Sequence, residues 1–388
     1  MAQSFHPPNR VLMGPGPSDV HPRILEAMAR PTIGHLDPLF VGLMDEIKEL
    51  LQYAFQTKAP LTMPVSGPGS AGMETCFVNL VEPGDKVIVC QNGVFGTRMM
   101  ENVKRCGGQG VLVQNDWGRS VNPSDVEEAL NAHPDAKIVA FVHAETSTGA
   151  FSDAEALATL ARDQGCLTIV DTVTSLGGSP LKVDEWKLDA VYSGSQKCLS
   201  CTPGLSPVTF SEKAVEKIQS RKTLVQSWFM DLNLVMGYWG EGQKRSYHHT
   251  APINALYGLH ESLVMLKEEG LENAWQRHEN HHQALKAGLE TLGLSFLVPE
   301  EERLWQLNAV RIPDGVDDGA VRQRLLHDHN LEIGAGLGEM AGKVWRIGLM
   351  GASCTKDNIL LCLTALEGAL LNQGVALDKG TAEQAARA

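Results

Sequence analysis

At 388 residues the chain is longer than a single hydrophobic core usually serves, so two domains are expected. Its 43% hydrophobic and 20% charged residues suit an ordinary globular protein, and a formal net charge of -13 argues against a nucleic-acid or anionic-membrane partner, either of which would want a basic face. The eight cysteines are scattered instead of forming a disulfide framework, and no apolar run approaches the ~18–20 residues of a membrane span. The first ten residues lack the apolar core of a leader, and the C-terminal Ala-Ala-Arg-Ala is not a Ser-Lys-Leu type address, so a cytoplasmic enzyme is the expectation.

In chain order, residues 1–20 carry Gly-Pro-Gly-Pro at 14–17, which cannot be regular helix, and read as an N-terminal arm. A large domain is expected over 21–270. Within it, apolar strands at 61–65, 86–90, 110–113, 138–143, 167–171, 190–193 and 207–210 alternate with amphipathic helices at 72–81, 97–106, 123–132 and 153–164. That alternation predicts an α/β fold with a mostly parallel sheet, whose ligand site lies at the carboxyl ends of the strands. A long helix near 255–269 leads into a smaller α+β domain, 271–375, and the alanine-rich segment 376–388 reads as a loose tail.

Four segments at strand ends or in loops carry chemistry. Gly67-Pro68-Gly69-Ser70-Ala71-Gly72 runs from a strand into a helix, where backbone N–H groups and the helix N-terminus suit an anion. It also fits G-x-G-x-x-G, but a dinucleotide site wants an acid after the next strand, and Gln91-Asn92-Gly93 stands there. Asp171 ends an apolar strand, where an unpartnered carboxylate is expensive to bury; a protonated pyridine nitrogen would be such a partner. Lys197, after Gly194-Ser195-Gln196, is poorly explained as solvated surface, since a partly desolvated lysine loses basicity and forms an imine with an aldehyde cofactor. Ser195 and Gln196 beside it are placed to hydrogen-bond a phosphate. Arg346 puts one cation in a short apolar strand.

Asp171 followed by Gly-Ser-Gln-Lys at 194–197 resembles the class V pyridoxal-phosphate-dependent aminotransferases, and within them the alanine–glyoxylate (serine–pyruvate) branch. The likeness runs through Met-Gly-Pro-Gly-Pro-Ser at 13–18, Ile-Gly-His at 33–35 and Met-Asp-Glu-Ile-Lys at 44–48. It continues in His-Ala-Glu-Thr-Ser-Thr-Gly at 143–149, Ser-Leu-Gly-Gly at 175–178, Tyr-His-His-Thr at 247–250 and Gly-Lys-Val-Trp-Arg-Ile-Gly-Leu-Met-Gly at 342–351. The resemblance implies the fold type I architecture of the aspartate aminotransferase-like transferases, pyridoxal 5'-phosphate as cofactor, and a homodimer with shared active sites. It implies Lys197 as the Schiff-base lysine, Asp171 against the pyridine nitrogen, and Phe95 and Val173 on the two faces of the ring. Thr146 would bond the ring's phenolic oxygen region. Pro68, Gly69, Ser70 and Gln196 would surround the phosphate, joined by Tyr247 and Thr250 of the other subunit, and Arg346 would grip the substrate carboxylate. Ser70 and Phe95 stand where a histidine and a tryptophan are common in the mammalian pattern, substitutions that bear on affinity.

The activity so implied is transfer of the amino group of a small amino acid, alanine or serine, to glyoxylate. The alternatives are a ureidoglycine–glyoxylate aminotransferase, for which the polar Asn254 would suit the pocket, and a lyase or desulfurase with Cys354 as nucleophile. His278-Glu279-Asn280-His281-His282 fits the zinc signature H-E-x-x-H, but its polar surroundings read as an exposed helix with no third ligand, so no metal is expected.

Overall fold

The computed structural model describes residues 2–240 and 245–387. The chain opens with β1 (Val11–Leu12), α1 (Pro22–Met28) and α2 (Pro38–Phe55). There follow β2 (Leu61–Val65), α3 (Gly69–Leu80), β3 (Lys86–Gln91), α4 (Val94–Arg105), β4 (Gln109–Gln114), α5 (Pro123–Ala132) and β5 (Ile138–Val142). A hairpin of β6 (Ala144–Glu145) and β7 (Ala150–Phe151) precedes α6 (Ala154–Asp163), β8 (Leu167–Asp171), β9 (Ala190–Tyr192) and β10 (Ser206–Phe210). Helices α7 (Glu212–Gln219), α8 (Leu232–Trp239) and α9 (Ile253–Glu269) lead to α10 (Leu271–Thr291). The remainder is β11 (Leu307–Arg311), α11 (Asp318–His329), β12 (Leu331–Glu332), β13 (Gly334–Ala335), β14 (Val344–Gly348), α12 (Lys356–Asn372) and α13 (Thr381–Arg387).

Seven strands form one sheet in the order β2-β10-β9-β8-β5-β3-β4, parallel except for β10. Consecutive residues of β2, β5 and β10 are all buried, which requires cover on both faces and explains why these segments are rich in apolar residues, β5 without interruption. Most helices start where a side chain can hold their free N–H groups: Asp37, Asn122, Asp153, Ser211, Asp231, Asp317 and Thr355 each cap one. Helices α3 and α4 differ. They follow Pro68 and Gly93, just past the carboxyl ends of β2 and β3, with no side-chain cap from those residues.

A second hydrophobic core gathers Leu285, Val310, Leu325, Trp345, Ile347 and Leu366 around the antiparallel strands β11-β14-β13. One expectation changes here. The segment expected to be a loose tail contains α13, whose Ala382 and Ala386 are buried in this core; alanine suits close approach to α10. The N-terminal arm is stitched down, because β1 pairs parallel with β12 and Met13 is fully buried in the second core.

Candidate active site

The chemically distinctive residues converge at the carboxyl ends of the parallel strands, where such sheets leave a crevice. Asp171 closes β8, in register with Val142 of β5 and Tyr192 of β9. Its side chain is buried, accepting Val173 N–H at 2.9 Å and the Tyr192 hydroxyl at 2.7 Å. Burial raises its pKa to about 6, against the pull of those two donors and of the Lys197 charge. A group in that state favours a cationic N–H as an additional partner.

Lys197 follows β9 through Ser193 and Gly194, and only 7% of it is exposed. Its ammonium reaches the carbonyl of Pro15 in the N-terminal arm, and desolvation, reinforced by the Arg346 charge, lowers its pKa to about 8. The arm is held there by Ser18, whose hydroxyl donates to the Lys197 carbonyl at 2.7 Å, and by Asp19 N–H donating to Ser353 Oγ at 2.8 Å. Gly16 must lack a side chain: its φ is +102°, and a Cβ would sit 2.7–2.8 Å from the Lys197 side chain.

Arg346 lies in β14, at the edge of the second core, half-buried. It donates to the carbonyls of Ala335 (2.7 Å) and Thr146 (3.2 Å), and among the described residues it forms no ion pair. A buried guanidinium held only by carbonyls retains the capacity for a bidentate carboxylate. Thr146 itself is buried, its hydroxyl 2.5 Å from that of Thr174.

Between these groups the backbone is open to an anion. Gly69 and Ser70 start α3 uncapped, the Ser70 side chain is exposed, and a Cβ on Gly69 would press on Val173 Cγ2 at 3.1 Å. The Gln196 amide oxygen is buried with no hydrogen-bond partner and calls for a donor; the NH2 end of that amide is the part able to bond an anion. Phe95 and Val173 are half-buried apolar side chains on the same core, and the Arg98 guanidinium lies 4.9 Å from the Phe95 ring. A buried amine of lowered basicity, a carboxyl in need of a cationic donor, flanking apolar groups and an uncapped helix start together fit a phosphorylated pyridine aldehyde. Ser195 is not part of that cradle, because its hydroxyl proton goes to the Thr202 carbonyl at 2.6 Å.

Tyr247 and Thr250 are exposed, their hydroxyls 3.4 Å apart, with the Tyr247 ring 5.1 Å from that of His35. Their described hydrogen-bond and ring contacts are with each other and with His35. Asn254 is fully engaged elsewhere: its amide nitrogen donates to the carbonyls of Met28 and Arg30, and its oxygen accepts from Thr32 at 2.5 Å. The histidines of the H-E-x-x-H segment are buried, not exposed. His278 holds Gly351 N–H at 3.0 Å and His282 bonds Asn308 at 2.7 Å, and among the described residues no acidic, histidine and cysteine group could hold a metal. Cys354 is buried, its thiol pushed up to about 12 by desolvation, which leaves it a poor nucleophile. Sequence reasoning does not single out Glu145, fully buried beside the site; an acid three residues past the apolar strand 138–142 is the signal that marks it.

The fold and this site define a pyridoxal-phosphate-dependent transferase of fold type I. The family model described as aminotransferase class-V matches residues 23–350, and the chain belongs to that family, an aminotransferase that uses pyridoxal phosphate. It is 41% identical to the alanine–glyoxylate aminotransferase of Oryctolagus cuniculus, the alignment covering 94% of this chain and 93% of the relative. It is 38% identical to the (S)-ureidoglycine–glyoxylate transaminase of Bacillus subtilis, over 98% of this chain and 95% of that one. The crystal structure of ureidoglycine–glyoxylate aminotransferase from Bacillus subtilis superposes with a TM-score of 0.97, covering 99% of both chains. That of alanine–glyoxylate aminotransferase from Nostoc sp. does so at 0.93, with 49% identity over 95% of this chain and 97% of the other.

Proposed function

We propose that the chain transfers the amino group of a small L-amino acid, alanine and secondarily serine, to glyoxylate, giving pyruvate or hydroxypyruvate and glycine. The observation that carries this reading is the convergence of buried Lys197, buried Asp171 and carbonyl-held Arg346 at one end of the sheet.

In this reading Lys197 holds the cofactor through Nζ, and Asp171 pairs with the ring nitrogen. Phe95 and Val173 hold the ring between them, and Thr146 bonds near its phenolic oxygen. Pro68, Gly69, Ser70 and Gln196 take the phosphate, with Tyr247 and Thr250 of a second copy. When bound, pyridoxal phosphate supplies an aldehyde for the amino group and a ring that accepts the electron pair left at Cα. Arg346 grips the substrate carboxylate and so fixes Cα relative to Lys197. Lys197 Nζ would be the group that takes the Cα proton and later returns one, and the burial that lowers its pKa to about 8 in the unliganded chain favours its neutral form. The Pro15 carbonyl and the surrounding arm keep bulk water from that amine.

Two homologous activities compete for the donor. The Nostoc and rabbit relatives support alanine, and the Bacillus subtilis relative, with its near-complete superposition, supports ureidoglycine. The chain's exposed Tyr247, Trp228 and Leu39 support assembly as a homodimer. No described helix is long and apolar enough to cross a membrane. The test is initial-rate kinetics with glyoxylate and each of L-alanine, L-serine and (S)-ureidoglycine. The reading predicts the highest kcat/KM with alanine and equimolar pyruvate and glycine; a higher value with ureidoglycine moves the donor, and no glycine from any donor overturns the reading.

A further inference from the structure

Glu145 is fully buried, and a carboxylate removed from water demands donors. It has three. Oε1 accepts Ser147 N–H at 3.0 Å and the Ser147 hydroxyl at 2.6 Å, and Oε2 accepts Phe95 N–H at 3.2 Å. With its proton given to Glu145, the same Ser147 hydroxyl accepts Val94 N–H at 3.0 Å. The first two N–H groups of α4, left without a cap by Gly93, are therefore capped from across the sheet by the β6–β7 hairpin. Gly93 is obligatory for this, because a Cβ there would enter the space of the Glu145 carboxylate and the Ser147 hydroxyl. The residue whose N–H Glu145 holds is Phe95. The turn after Glu145 also supplies the Thr146 carbonyl that Arg346 grasps.

We propose that Glu145 is a positioning residue for the cofactor site: by capping α4 from the β6–β7 hairpin it sets the height and tilt of the Phe95 ring. This rests on the reading of Phe95 as the ring-stacking residue. A mere packing role would serve the fold equally whatever occupies position 95. Capping that acts through Phe95 loses its effect on the cofactor once the ring is gone.

The test is a double-mutant cycle on pyridoxal phosphate affinity, with Glu145→Ala and Phe95→Ala singly and together, read as the dissociation constant from absorbance titration of the apo protein. Thermal unfolding of each apo variant runs alongside, and Glu145→Gln, which keeps one acceptor oxygen and the side-chain volume, replaces Glu145→Ala if that variant does not fold. Glu145→Ala is expected to raise the dissociation constant about tenfold in the parent and less than about twofold in the Phe95→Ala background, a coupling of ordinary size for residues in contact. The fall in apo melting temperature is expected to be alike in both backgrounds. Equal fold-changes in the two backgrounds, or no change in affinity in the parent, would overturn the proposal. Failure of the parent itself to bind pyridoxal phosphate would instead strike at the proposed function.

Discussion

A buried carboxyl such as Asp171 trades stability for chemistry, and the sign of that trade can be measured. Its pKa rises from 3.8 to about 6 on folding, so between those values the folded chain holds more protons than the unfolded one. Stability of the apo protein therefore falls as pH rises through that window, by at most about 3 kcal/mol. Asp171→Asn removes the charge. It should abolish turnover while gaining roughly 1–3 kcal/mol over the parent at pH 8 and almost nothing at pH 4, by urea unfolding. Loss of stability at pH 8 would contradict the burial argument. For Arg346→Ala the expected effect is on the substrate: kcat/KM for alanine falls about 100-fold, the value of a bidentate charge-assisted pair, with unchanged cofactor affinity; Arg346→Lys recovers little. Lys197, Asp171 and Arg346 are legible in the sequence because each puts a charge where an apolar strand or small-residue loop offers no solvent. Glu145 is harder to read, since its purpose lies in donors 50 residues away at Phe95.

At the level of elements, the parallel strands are legible almost to the residue: β2 and β8 have the expected bounds, because a strand buried on both faces is short and mostly apolar between polar or turn-forming neighbours. The helices α3 and α4 begin three residues earlier than their patterns suggest, at Gly69 and Val94, because neither start carries the side-chain N-cap by which a sequence announces one. The histidines of α10 mislead for the opposite reason. His278 and His282 share one face with Leu271, Ala274, Leu285 and Leu289, so helical spacing reveals a buried stripe that the neighbouring Gln276, Arg277 and Gln283 disguise. The N-terminal arm carries an element-scale prediction. In Gly16→Ala the new methyl meets the Lys197 side chain at a φ of +102°, so turnover should fall at least tenfold while the melting temperature drops only a few degrees. Normal turnover would mean that the arm can yield and does not position the lysine.

At the scale of the whole molecule, the arm, the large sheet and the second core meet around one lysine: Pro15 from the first, Asp171 from the second, Arg346 from the third. A homodimer would complete the phosphate site. Sedimentation equilibrium should give twice the 42.0 kDa chain mass, and Thr250→Ala should weaken cofactor binding several-fold although within one chain the contact described for its hydroxyl is with Tyr247. A monomer with full cofactor affinity would contradict that arrangement. Neither the pairing nor the donor is legible in the sequence, because an exposed side chain such as Tyr247 carries no pattern that says what another molecule would place against it. The central claim is that Lys197 and Asp171 make this chain a transaminase, and one optical experiment addresses it. The visible spectrum of the protein reconstituted with pyridoxal phosphate is followed as L-alanine and then glyoxylate are added. The account predicts a yellow band, absent from Lys197→Ala in its alanine-responsive form, that bleaches with alanine and returns with glyoxylate. A parent protein that develops no band, or whose band responds to no amino donor, would contradict it.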